Sequence, residues 1–142
     1  MRNVSQILEQ KGGTVVSVGR DAPVREAIRL MAEHHIGAVL VMDGGKLLGI
    51  ASERDYARKV VLQGRSSSDT AVQQIMSSPV VCVGPMESVS ECMGIMTDRH
   101  IRHLPVVDDG QVVGIVSIGD LVKEVIEEQK QEINYLQQYI SG

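Results

Sequence analysis

Tryptophan and phenylalanine are absent from this chain of 142 residues, and tyrosine occurs three times. A core without large aromatic rings needs another filling, and seven methionines supply a soft, adaptable one. Cysteine is scarce as well: Cys82 and Cys92 fall in a predicted strand and a predicted helix, where both are expected as small buried thiols of a reducing, cytoplasmic setting. No apolar run approaches the roughly 18 residues of a membrane span, and the segment Met1 to Gly13 lacks the apolar core of a secretory signal. Clustered basic charge is missing too. With 14 basic against 18 acidic residues the net charge is −4, which argues against broad nucleic-acid binding. No serine sits in a GxSxG elbow, no His and Asp pair is placed to activate one, and catalysis is not expected. Of the histidines His34, His35, His100 and His103, the pair 100 and 103 has HxxH spacing. That spacing crosses a helix end, no further ligand completes a set, and no metal site is expected.

What is present is a duplication. Residues Val15 to Arg58 recur without a gap as Val80 to Lys123, with 16 of 44 aligned pairs identical. Most identities are apolar or glycine positions, which any repeated fold requires. Ser52/Ser117 and Asp55/Asp120 are polar, and a core does not ask for them. The length suits one domain, so the two copies are expected to share a core.

Periodicity changes in the same order in both copies. Thr14 to Val18 and Pro79 to Val83 are short β-branched runs, each followed by a turn and then by apolar residues at helical spacing: Val24, Ala27, Ile28, Met31 and Val89, Cys92, Met93, Met96. Strands are predicted at Ala38 to Met42 and Leu104 to Val107, closed by DGGK and DDGQ turns and returning through Leu47 to Ala51 and Val112 to Val116. Helical spacing resumes after Ser52 and Ser117. Each copy is therefore read as β-α-β-β-α, an α/β (α+β) architecture. The expected organisation is a lead-in helix over 1–13, repeat 1 over 14–62, a polar linker and short helix over 63–78, repeat 2 over 79–127 and a helical extension over 128–142. In that last helix Ile126, Ile133, Leu136 and Ile140 make a heptad-like stripe, with Gln129 in the missing step, and a second copy of the chain is its expected partner.

The segments GIASERD (Gly49 to Asp55) and GIVSIGD (Gly114 to Asp120) place a serine at a strand-to-helix junction and an aspartate one turn on. Two readings share this geometry. In one the pair only caps a helix. In the other the helix N-terminus and hydroxyl favour a phosphate, while the carboxylate accepts the hydrogen bonds of a ribose diol. Spacing leaves both open.

Together with RHIRHLPVVDDG (Arg99 to Gly110), these segments resemble a tandem pair of cystathionine β-synthase (CBS) domains, a Bateman module, over about Val15 to Lys123. The resemblance implies two repeats about a pseudo-twofold axis and two clefts for adenosine derivatives. It makes Asp55 and Asp120 ribose ligands and Ser52 and Ser117 phosphate-side ligands. It also implies clefts lined by both repeats. Ser52, Glu53, Arg54, Asp55 and Arg58 would face Val81, Cys82, Arg102 and His103; Ser117, Ile118, Gly119 and Asp120 would face Thr14, Val16, Gly37 and Ala38. The arginines suit the first cleft to the more highly charged group.

The function so implied is that of a regulatory sensor binding AMP or NAD(H), or alternatively ATP, ADP or S-adenosylmethionine, without a catalytic cofactor. It would work as a homodimer on a separate, unidentified effector protein. The rival expectation is a ligand-independent interaction module.

Overall fold

The computed structural model describes residues 2–141. In chain order the elements are α1 (Val4–Lys11), β1 (Ser17–Val18), α2 (Val24–His34), β2 (Ala38–Asp43), β3 (Lys46–Ser52), α3 (Glu53–Tyr56), α4 (Val89–Arg99), β4 (His103–Asp108), β5 (Gln111–Ser117) and α5 (Ile118–Ser141). They divide between two compact units. Val15–Val81 forms one; the residues up to Thr14, with those from Cys82 onward, form the other.

In the first of these, β1 runs parallel to β2, and β2 pairs antiparallel with β3. The hairpin turn is Gly44–Gly45, both at positive φ, which gives the turn a twist matching that of the strands. Val18, Val24, Ala27, Met31, Val39, Val41, Ala51, Val60, Val72 and Ile75 make a buried cluster. That cluster is drawn wholly from this unit. α3 runs on as a π-helical turn over Ala57–Val61, a wider winding that apolar spacing alone does not distinguish from an ordinary helix.

The second unit repeats the plan. β4 and β5 form a hairpin around Asp109–Gly110, again with both residues at positive φ. A bulge falls between Val106 and Val107, as it does between Val41 and Met42. Val89, Cys92 and Met96 of α4 are buried, matching Val24, Ala27 and Met31 of α2. His35 and His100 end α2 and α4 in the left-handed conformation, so their recurrence marks a shared helix stop.

Several expectations are corrected. The expected strand at Thr14 to Val18 shrinks to Ser17–Val18, and of Pro79 to Val83 only Val83 bridges to the sheet, at Val106. Pro79 carries no N–H for a ladder. The expected short helix at Ala71 to Met76 is a 3₁₀ turn over Val72–Gln74. Cys92 is buried, but Cys82 is exposed.

The segment before each repeat packs against the other repeat. Val4 N–H donates to Glu87 O (2.9 Å) and Val89 N–H to Arg2 O (3.2 Å). In the other unit Val72 N–H donates to Ala22 O and Val24 N–H to Thr70 O, both at 2.8 Å. Val4 and Ile7 are buried in one case, Val72 and Ile75 in the other. Leu8 lies over Gly114, and Met76 over Gly49. The segments VSQIL (Val4 to Leu8) and VQQIM (Val72 to Met76) are thus a second internal repeat, displaced by 68 positions.

Candidate functional site

Ser52 ends β3 opposite Ala38, and Ser117 ends β5 opposite His103. Just past each serine the next amide is tied back to the neighbouring strand's entry: Glu53 N–H donates to Gly37 O (3.0 Å), and Ile118 N–H to Arg102 O (2.9 Å). Each unit thus joins its Ser-x-x-Asp turn to the head of its own first hairpin strand.

The turns are closed by reciprocal hydrogen bonds. Ser52 N–H donates to Asp55 Oδ2 (2.9 Å), Asp55 N–H donates to Ser52 Oγ (3.1 Å), and the Ser52 hydroxyl donates to Asp55 Oδ2 (3.1 Å). In the other unit Ser117 N–H donates to Asp120 Oδ2 (2.8 Å) and Asp120 N–H to Ser117 Oγ (3.2 Å). These are capping boxes with aspartate in the place of the usual glutamate.

Each aspartate also holds a lysine. Lys59 Nζ stands 3.2 Å from Asp55 Oδ1 and donates to Ile75 O (2.9 Å). Lys11 Nζ, from the end of α1, stands 2.7 Å from Asp120 Oδ2 and donates to Ile115 O (2.9 Å). Lys59 lies four residues after Asp55, a spacing that brings helical side chains together. Lys11 is 109 residues from Asp120, and no local pattern announces it.

The two aspartate side chains are 15% and 23% exposed, at Asp55 and Asp120 respectively. Burial by itself would raise the Asp120 carboxyl, but the Lys11 ammonium and the Ser117 backbone hold it below the usual carboxylate value. His103 is pushed the other way. Burial favours its neutral ring, Asp120 opposes that, and Lys11 and Arg102 add to it, so the imidazole titrates lower than usual.

The remaining predicted residues divide between the units. With the first turn go exposed Glu53, Arg54 and Arg58, half-buried Val16, Gly37 and Val81, and buried Ala38. With the second go exposed Thr14, Cys82, Arg102 and Gly119 and half-buried His103 and Ile118. A Cβ added at Gly119 would meet only Ser117 Oγ, at 3.6 Å, so that turn has open space where its counterpart carries Arg54. Beside Asp120 lies a groove of about 310 Å³ lined by Arg2, Gln10, Lys11, Lys123, Glu124 and Glu127. Its wall is tied by Arg2 Nε to Glu124 Oε1 (3.0 Å). Among the described residues no group of three His, Cys, Asp or Glu is placed to hold a metal, and no helix is long and apolar enough to cross a membrane.

Comparison with known proteins converges on one family. Residues 6–62 and 72–127 each match the CBS domain. The mitochondrial CBS domain-containing protein CBSX3 of Arabidopsis thaliana is 39% identical over 148 residues, covering 98% of this chain and 72% of that one. A CBS-domain protein from Burkholderia ambifaria superposes with a TM-score of 0.87 at 53% identity, over 90% of this chain and 96% of its own. The CBS domain pair of protein MJ0100, solved in complex with 5′-methylthioadenosine and S-adenosyl-L-methionine, superposes with a TM-score of 0.80 at 27% identity, over 90% and 98% of the two chains. Two matches to one family, each spanning one copy of a repeat that the residues themselves disclose, place this chain in the CBS-domain family as a tandem pair.

Proposed function

We propose that this protein is a non-catalytic regulatory module that binds an adenosine derivative, AMP or NAD(H) in preference to ATP, ADP or S-adenosylmethionine, and acts on a separate protein. The observation that carries the reading is the pair of capped aspartates. Each carboxylate is fixed by its own serine turn and faces outward enough to meet solvent. A ribose diol donates two hydrogen bonds, and a fixed carboxylate is a matched acceptor for them. Asp55 and Asp120 are the proposed ribose ligands, with Ser52 and Ser117 on the phosphate side. Arg54, Arg58, Arg102 and His103 supply donors to anionic groups; Val16, Gly37, Ala38, Val81 and Cys82 offer small or apolar surface to the base. The bound 5′-methylthioadenosine and S-adenosyl-L-methionine of the MJ0100 pair support adenosine as the common element.

Regulation then follows from differential affinity. A ligand shifts the protein between two arrangements of its repeats only as far as it prefers one of them. α5 is the element suited to report the shift, since it begins directly after Ser117, carries Asp120 in its first turn and runs to Ser141.

A thermal-shift panel with AMP, ADP, ATP, NAD, NADH, S-adenosylmethionine and GMP, on protein stripped of nucleotide, tests the reading. A ligand at a hundred times its Kd adds about 2.7 kcal/mol, or several degrees in a chain of this size. Adenine ligands should give that rise, and Asp55→Ala or Asp120→Ala should abolish it for the site concerned. Indifference to every nucleotide in the intact protein would overturn the proposal and leave the serine turns as helix caps.

A further inference from the structure

α5 carries two different faces. At about 100° per residue, Leu121, Glu124, Val125 and Glu128 fall on one side, and from Leu121 onward these are its buried or half-buried positions. Val122, Ile126, Gln129, Ile133, Leu136 and Ile140 fall on another, centred about 110° around the helix. Every residue of that second face is exposed, from Val122 at 40% to Ile140 at 82%. It begins where the helix is still docked and continues without a break through the part beyond Glu128, where all described residues are exposed.

The spacing along this face alternates four and three. Ile126, Ile133 and Ile140 take the a positions of a heptad, and Val122, Gln129 and Leu136 take d. Isoleucine holds every a position, while d holds Val122, Gln129 and Leu136; in a parallel coiled coil β-branched residues at a with leucine at d favour two strands over three or four. We infer that α5 pairs with α5 of a second copy of this chain, parallel and in register, along Val122 to Ile140.

Two features of the heptad favour the parallel direction. In the parallel pair Gln129 meets Gln129 of the partner subunit, and the two carboxamides hydrogen-bond each other. In an antiparallel pair of full overlap it would face Ile133, burying an amide with no partner. Charge agrees. The antiparallel pair sets Lys130 beside its own copy, whereas the parallel pair sets Glu132 opposite Gln137, with no like charges opposed. The apolar seam offers on the order of 1,200 Å² across the two chains, the low end of what a specific interface needs. The expected dimer is therefore reversible and sensitive to concentration.

The test uses the full chain without nucleotide, so that its outcome is separate from the ligand reading. In a Cys82→Ser background, Gln129→Cys should form a covalent dimer in a glutathione redox buffer, while Gln138→Cys, on the outer face, should not. Mixed Ile126→Cys and Leu136→Cys chains should fail to cross-link to each other, since only antiparallel helices bring those positions together. Ile133→Glu should raise the dimer dissociation constant at least tenfold in sedimentation equilibrium without loss of the circular-dichroism melt. Equal cross-linking at 129 and 138, efficient 126–136 cross-links, or unchanged dimerisation of Ile133→Glu would each overturn the inference.

Discussion

Asp120 is the residue on which the fold and the proposed binding meet. Its Oδ2 accepts both the Ser117 N–H and the Lys11 ammonium, so the proposed ribose diol would have to share or displace contacts that already stabilise the turn. Asp120→Asn is expected to cost about 1 kcal/mol at neutral pH, the scale of a lost helix cap. The pH dependence has a definite sign. The folded carboxyl titrates below its unfolded value, so its contribution is complete above about pH 4 and disappears as pH falls through the folded pKa. Urea melts at pH 7, 5 and 3 should therefore show wild type and Asp120→Asn converging in acid. His103 gives a second slope. The fold favours the neutral ring, so stability is lost as pH drops below about 6.5, and His103→Gln should flatten the profile on the acid side of that pH. The aspartates were legible in sequence because a polar pair repeated in register stands out from a repeated core. Lys11 was not, because its contact with Asp120 depends on which repeat α1 joins.

Element by element, the hairpins and the two amphipathic helices were written plainly in the chain. Alternation, turn residues with positive φ and the 24/27/31 and 89/92/96 spacings are local signals. Thr14 to Val18 and Pro79 to Val83 misled, since β-branched composition says nothing of whether a partner strand has its hydrogen bonds free. The lead-in segments escaped because their repeat is displaced by 68 positions while the main one is displaced by 65. Their packing explains two recurrent glycines. A Cβ at Gly49 would lie 2.5 Å from Met76 Sδ and 3.0 Å from the Ser77 carbonyl, and one at Gly114 would lie 2.7 Å from Leu8 Cδ2. Backbone cannot yield as a leucine tip can. Gly49→Ala should cost about 2–3 kcal/mol and Gly114→Ala about 1 kcal/mol. Adding Leu8→Ala to Gly114→Ala should recover part of that loss, a coupling that a double-mutant cycle in denaturant would measure.

At the scale of the whole molecule, the exchanged lead-in segments make each repeat depend on residues that precede the other one. Val4 and Ile7 are buried, Leu8 lies over Gly114 of β5, and the Val4 and Val89 N–H groups donate backbone hydrogen bonds that tie the α1 entry to the α4 entry. Removing residues 2–11 would strip two buried aliphatic side chains and the Lys11 contact from the second unit. Burial of such side chains contributes roughly 1.5–3 kcal/mol each, so the loss reaches about 3–6 kcal/mol against a typical total of 5–15 kcal/mol. The cluster formed by Val18, Val24, Val39, Val60 and Ile75 keeps its own covering segment, which enters from Thr70 to Met76. Hydrogen exchange on the truncated chain should therefore show protection falling first over residues 83–121, near in sequence to the linker but far from the deletion. If protection fell first over residues 15–62, the segment next to the cut, packing would follow chain order and the exchange of lead-in segments would be wrong.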